Sequence, residues 1–275
     1  MLRSSMQAAV TMGQLQQKLD LIGHNVSNVN TTGYKTKDAQ FSSLLFQEMD
    51  NQSRPEEEVN RLTPNGIRIG SGAQMTGSDV DFSQGSIRTT DRILDVAILG
   101  NNQLFSIQVT ENGAEETRFT RDGAFYLSPV NANENMLVTA AGNPVLGEDG
   151  PILLQNDVQE LTIREDGRIM STVNGQQVIE GQLAMVEAVR PRMLEATGGN
   201  LYRLPTDVGL NVNGEEIVAP MNQDEVRLQS GALETSNVDL SKQLTDLTVT
   251  QRAYQLNSQS IKLGDQMMGL INGLR

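Results

Sequence analysis

Two heptad patterns, one at each end, constrain this chain more than anything between them. From Ala8 the apolar or small positions fall at Ala8, Met12, Leu15, Leu19, Ile22, Val26 and Val29, alternating steps of four and three as a coiled-coil seam does. The last stretch repeats the spacing at Val249, Ala253, Leu256, Leu263, Met267, Leu270 and Leu274, with Ser260 as its polar member. A second stripe on that stretch, Leu240, Leu244, Leu247, Tyr254, Ile261 and Met268, runs roughly a third of a turn away. An apolar stripe must be covered by another helix, here the other terminus or a neighbouring copy, and two stripes ask for two neighbours. The pattern points to assembly.

The first helix is predicted from about Leu2 to Asn28, ended by an Asn-rich segment containing Gly33. The last is predicted to open around Ser236 to Asp239, with Ser236 as a cap, and to run to about Asn272-Gly273, some 50 Å at ~1.5 Å per residue. Between them lie seven Asn-Gly or Asp-Gly pairs, at 65–66, 112–113, 122–123, 149–150, 166–167, 174–175 and 213–214. Such pairs suit tight hairpins, because type I′ turns need positive φ at both central residues. The segments between them read as strands: Ile67–Ile69, Leu94–Leu99, Leu104–Val109, Leu161–Ile163, Val178–Ile179 and Leu183–Val186. Pro55 and Glu56-Glu57-Glu58 mark a polar loop near 48–62, read as mobile.

Composition narrows function by exclusion. A net charge of −13 disfavours nucleic acid, whose phosphates are held by Lys and Arg. Zero Cys removes thiolate metal sites and a Cys nucleophile. No window reaches the ~18 apolar residues of a membrane span, and the start, with Gln7, Thr11 and Gln14 interrupting it, does not read as a signal peptide. The lone His24 has no ligand or triad partner at a recognisable spacing, and the Asp-Gly pairs lack the rest of a calcium loop. No catalytic, cofactor or metal residue is therefore expected. A hydrolase has little support, and the main competing reading is a secreted β-rich binding module on a coiled-coil stalk, which calls for a helix at one end only.

The string His24-Asn-Val-Ser-Asn-Val-Asn-Thr-Thr-Gly-Tyr-Lys35 resembles the N-terminal signature of the flagellar rod and hook proteins. Further strings in the same order carry the resemblance: Ile67–Ala73, Asp81–Ile87, Leu94–Gly100, Phe119–Phe125, Leu137–Gly147, Gln229–Asp239 and Gln251–Ser258. Gly100-Asn-Asn-Gln-Leu-Phe105 departs from the family's usual Gly-Asp-Gly-Phe-Phe. Chain length and the opening Met-Leu-Arg look like distal rod proteins, particularly the Gram-positive FlhO type. The resemblance implies an α+β subunit whose long terminal helices, 1–31 and 239–275, form a coiled-coil core domain. It also implies a β-extension at 32–90, an outer β domain at 91–221 and a return segment at 222–238. The expected function is structural: a basal-body rod subunit in the cell envelope that self-assembles helically and carries torque from motor to hook. Its expected partners are copies of itself, other rod and hook proteins and the flagellar type III export apparatus, with no cofactor, nucleic acid or membrane insertion. The expected assembly interface comprises Met12, Leu15, Leu19, Ile22, Asn25, Asn28, Asn30, Gly33, Tyr34, Leu240, Leu244, Leu247, Tyr254, Leu256, Leu263, Met267 and Leu270.

Overall fold

A computed structural model describes residues 2–43, 46–49, 67–70, 73–111, 113–155, 160–173, 176–205 and 214–273. The polar loop from residue 50 to 62, the pairs at 65–66 and 174–175, Asn112, Asn213 and Leu274 lie outside the described residues. The protein is α+β, with helices at both ends and strands between. Helix α1 spans Leu2–Ser27, the short helix α2 spans Gly214–Ile217, and α3 spans Leu240–Gly273. The chain forms two compact units: one of Met1–Val26, Lys37–Asp79 and Leu240–Arg275, the other of Ser27–Thr36 and Val80–Asp239.

In the helical unit, the seam expected on α1 is the covered side: Ala8 and Ile22 are buried, and Met12, Leu15, Leu19 and Val26 are partly covered. Its contacts include Gln14 Oε1 accepting from Met75 N at 2.6 Å and Lys18 Nζ above the Phe41 ring at 5.8 Å. On α3 the expected seam faces outward instead. Leu256, Leu263 and Leu270 are 64, 59 and 70% exposed, and Val249 and Met267 are exposed too. The covered stripe of α3 is Gln243, Leu247, Thr250, Tyr254, Asn257, Ile261 and Gly264, again in steps of four and three. Its polar members find partners close by. Thr250 Oγ1 donates to Asp246 O at 2.6 Å, and Asn257 Nδ2 donates to Ala253 O at 3.0 Å. A side chain satisfied by its own helix backbone can be buried at little cost, so the side of α3 covered within this chain is not the one with the most regular apolar spacing. Leu240, Leu244 and Met268 of the second stripe are exposed as well.

In the β-rich unit, six antiparallel strands form one sheet in the order Glu195–Gly198, Leu201–Arg203, Ala114–Thr120, Gln103–Glu111, Met185–Ala188, Val218–Pro220. Adjacent residues on a strand point to opposite faces, and Leu104 and Phe105 are both fully buried, so this sheet is covered on both sides. Phe105 enters a cluster with Val96, Ile98, Phe125, Leu137 and Leu228, its ring edge-on to Phe125 at 5.1 Å. Leu104 enters another with Phe82, Phe119, Tyr202 and Ile217.

Turn chemistry is legible in part. Glu111 pairs with Ala114 across positions 112–113, Val173 with Gln176 across 174–175, and Gly167, at φ +83°, turns the hairpin between Glu160–Ile163 and Arg168–Val173. At 149–150 the register is shifted: Gly147 pairs with Gly150, so Glu148-Asp149 forms the loop. Two further pairs differ, Asn213 itself lying outside the described residues. Gly214 opens α2, and Asp122-Gly123 is a crossover where a Cβ on Gly123 would meet Val96 O at 1.8 Å. A tight hairpin in the reverse residue order, Gly199-Asn200 with φ of +60 and +58°, escapes a search for Asn-Gly.

Candidate functional site: a buried clasp of the two terminal signatures

Charged residues inside apolar strands set up the site. In the strand Ala232–Glu234 all three residues are buried, so Glu234 needs an internal partner. That strand pairs with Ile87–Thr89, placing Glu234 opposite Ile87. Arg121 ends the run Phe119-Thr120-Arg121, also buried throughout. Lys35 arrives from the end of the N-terminal signature.

These three side chains meet at 1, 2 and 3% exposure for Lys35, Arg121 and Glu234. Lys35 Nζ donates to Glu234 Oε1 and to Ser83 O, both at 2.7 Å. Arg121 Nε donates to Glu234 Oε2 at 2.5 Å, while its terminal nitrogens donate to the carbonyls of Gln103, Gly100 and Ile98. Gly85 N adds a 2.7 Å bond to Glu234 Oε1. One carboxylate thus serves two buried cations. Burial pushes the Lys35 ammonium below its ordinary value against the pull of Glu234, and it pushes Arg121 down in the same way.

The neighbouring residues fix the backbone of the N-terminal signature. Gly33 N donates to Glu234 O at 2.9 Å, and Asn237 Oδ1 accepts from both Thr36 N and Thr36 Oγ1, at 2.7 and 2.8 Å. Asn237 Nδ2 in turn donates to Asp81 O and Ser83 O. Thr32 Oγ1 donates to Asp122 Oδ1 at 2.9 Å, and Asn200 Nδ2 donates to Thr32 O at 3.0 Å. Burial raises the Asp122 carboxyl above the usual range, opposed by its bonds from Ala124 N and Thr32. Tyr34 is buried beside this framework, and burial pushes its phenol up to about 12. Gly33 sits at φ +65°, close against Arg121 and Asp122.

Several residues expected at an interface between copies are turned inward. Gly33 and Tyr34 are buried in the clasp, and Asn28 accepts from Thr31 Oγ1 in the turn after α1. Asn30 is exposed. Asn25 is buried in the helical unit, where its amide closes on both polar groups of Lys37, accepting from N at 3.1 Å and donating to O at 2.8 Å. It also donates to Gln243 Oε1 at 3.4 Å. Ser236 does not cap α3; its hydroxyl accepts from Val238 N in the turn before the helix. Sequence reasoning quoted Lys35, Arg121, Glu234 and Asn237 inside longer strings without giving them roles. The usable signal was a charge placed in a run of buried strand residues.

The arrangement holds backbone together. Among the described residues no group of three or more His, Cys, Asp or Glu side chains could hold a metal ion, and no helix is long and apolar enough to cross a membrane. His24 is exposed near the end of α1, its basicity lowered by partial burial and then by Lys37. A lowered histidine value means the unfolded chain binds more protons. Its small stabilising contribution is therefore present above the ordinary histidine range, near ~6.5, and lost as pH falls through it. His24→Gln is expected to leave the unfolding midpoint at pH 8 unchanged and to flatten its dependence between pH 5 and 7, read by urea unfolding. A large loss at pH 8 would show that His24 is a structural residue.

Three protein families match separate parts of the chain: "Flagella basal body rod protein" at residues 7–35, "Flagellar hook protein FlgE/F/G D1 domain" at 97–171, and "Flagellar basal body rod FlgEFG protein C-terminal" at 229–274. Over its whole length the chain is 42% identical to the flagellar hook-basal body complex protein FlhP of Bacillus subtilis, covering all of both chains. It is 33% identical to the flagellar basal-body rod protein FlgG of Borreliella burgdorferi, covering 100% of this chain and 99% of that one. It is also 33% identical to FlgG of Bacillus subtilis, covering 98% and 97%. These names lie within the rod and hook family that the sequence motifs resemble.

Proposed function

Because the chain belongs to the flagellar basal-body rod protein family, and so is a structural subunit located in the flagellar basal body, we infer that it is a distal-rod subunit. In this reading it self-assembles helically and carries torque from motor to hook. The terminal helices, with 1–31 and 239–275 as one core domain, pack as a coiled coil only when further helices from neighbouring copies or adjoining rod and hook subunits cover them. Delivery is by the flagellar type III export apparatus, and no enzymatic activity is involved.

One observation carries this reading: the outward apolar face of α3, with Leu256, Leu263, Met267 and Leu270 exposed along it. Covering a leucine fully is worth about 1.5–3 kcal/mol, so a face of this length strongly favours a helical neighbour. Leu256→Asp and Leu263→Asp are expected to leave the subunit's own unfolding free energy within about 0.5 kcal/mol, since both side chains are exposed in the monomer. Incorporation into basal bodies and swimming should be lost, because the charge would be buried unpaired on assembly. Normal incorporation of both variants would exclude this face from the assembled rod.

A further inference from the structure

We propose that residues 27–36 form a latch that closes last on the β-rich unit and opens first, with Glu234 as its catch. The rest of that unit supplies its own contacts. Its six-stranded sheet and both apolar clusters contain no residue of 27–36. Segment 27–36, in contrast, adds one buried ring, Tyr34, and is otherwise held by polar bonds to a small set of groups: Glu234, Ser83, Asn237, Asp122 and Asn200. Two of them, Glu234 and Asn237, come from the other end of the sequence, so the docking site is complete only after the return segment has folded into place.

The charge count makes closure weak. Before Lys35 docks, Glu234 is already matched by Arg121 and by Gly85 N. Lys35 then brings a second cation to a carboxylate that has one, and gives up its hydration to do so. Burial dominates the shift at Lys35, in keeping with a closed state that is undercompensated. A latch of this kind lets the segment that follows α1 disengage without unfolding the sheet. Ser27, the last residue of α1, belongs to the latch.

Amide hydrogen exchange on the full-length subunit reads the latch directly, because Gly33 N and Thr36 N donate across it while Ser106 N donates to Ala184 O within the sheet. In the parent protein the Gly33 and Thr36 amides should exchange at least tenfold faster than that of Ser106. Lys35→Met, which removes the surplus cation, should slow both latch amides by tenfold or more and leave Ser106 unchanged. Glu234→Gln should speed them more than it speeds Ser106. If the latch amides exchange as slowly as Ser106 in the parent, or if all three move together in Lys35→Met, the segment is part of one cooperative unit and there is no latch. The Lys35→Met arm decides the matter even if Glu234→Gln does not fold, and none of these measurements depends on rod assembly.

Discussion

Gly33→Ala is expected to disrupt the clasp more than any other single methyl addition in the signature. An L side chain at φ +65° costs about 1–2 kcal/mol by itself. The added Cβ would also lie 2.6 Å from Asp122 N, 2.7 Å from Arg121 C and 2.8 Å from Asp122 Cα. All three are backbone atoms that no rotamer change can move, and overpacking of this kind costs typically 1–3 kcal/mol more. With a combined cost of about 2–5 kcal/mol, segment 27–36 should leave its site. Lys35 should then become a trypsin site in the folded subunit, and the urea midpoint should fall. Gly113→Ala is the control: its φ is +81°, but nothing lies within 4 Å of the new Cβ. It should show only the conformational cost and leave Lys35 protected. A Gly33→Ala subunit with parental stability and a protected Lys35 would show that the close approach is not required.

The second large effect is an asymmetry within the charge cluster. Glu234→Gln should destabilise the β-rich unit by about 3–5 kcal/mol, because it strips the shared anion from two buried cations. The new amide can accept through one oxygen only, while Lys35 Nζ, Arg121 Nε and Gly85 N all point donors at the site. Lys35→Met should instead fall within about 1 kcal/mol of the parent or above it, since it leaves a matched Arg121–Glu234 pair and a flexible apolar side chain in the space. Arg121→Met should resemble Glu234→Gln, as it strands the carbonyls of Gln103, Gly100 and Ile98. Because the Lys35 value is lowered in the folded state, its charge opposes stability at neutral pH, and stability should rise as pH climbs through that lowered value. Urea unfolding of the three variants checks the order. Lys35→Met as the most damaging of the three would mean that attraction to Glu234 outweighs burial.

Much of the outline was legible from local pattern. Helix periodicity placed α1 and α3 to within a few residues, and Gly113 and Gly167 sit at positive φ in hairpins as their residue type allows. Pattern failed where a residue served a distant contact. Asp122-Gly123 reads as a hairpin turn, but Gly123 is there to let Val96 O pass. The apolar seam of α3 could be covered by the other terminus or by a neighbouring copy, and the described chain covers Gln243, Thr250 and Asn257 and leaves Leu256 and Leu263 outside.

The sequence by itself determined that this chain is α+β, that both ends are helical and that its motifs are those of a flagellar rod protein. Each of these depends on residue types at short spacing, and the chain carries such information locally. Only the tertiary structure decided that the two terminal signatures close on each other inside one unit. Lys35 and Glu234 are 199 positions apart, as their ion pair records, and no periodicity spans that distance. The fold brings them together, and because an unpaired buried charge is costly, Lys35, Arg121 and Glu234 are found paired once they are there.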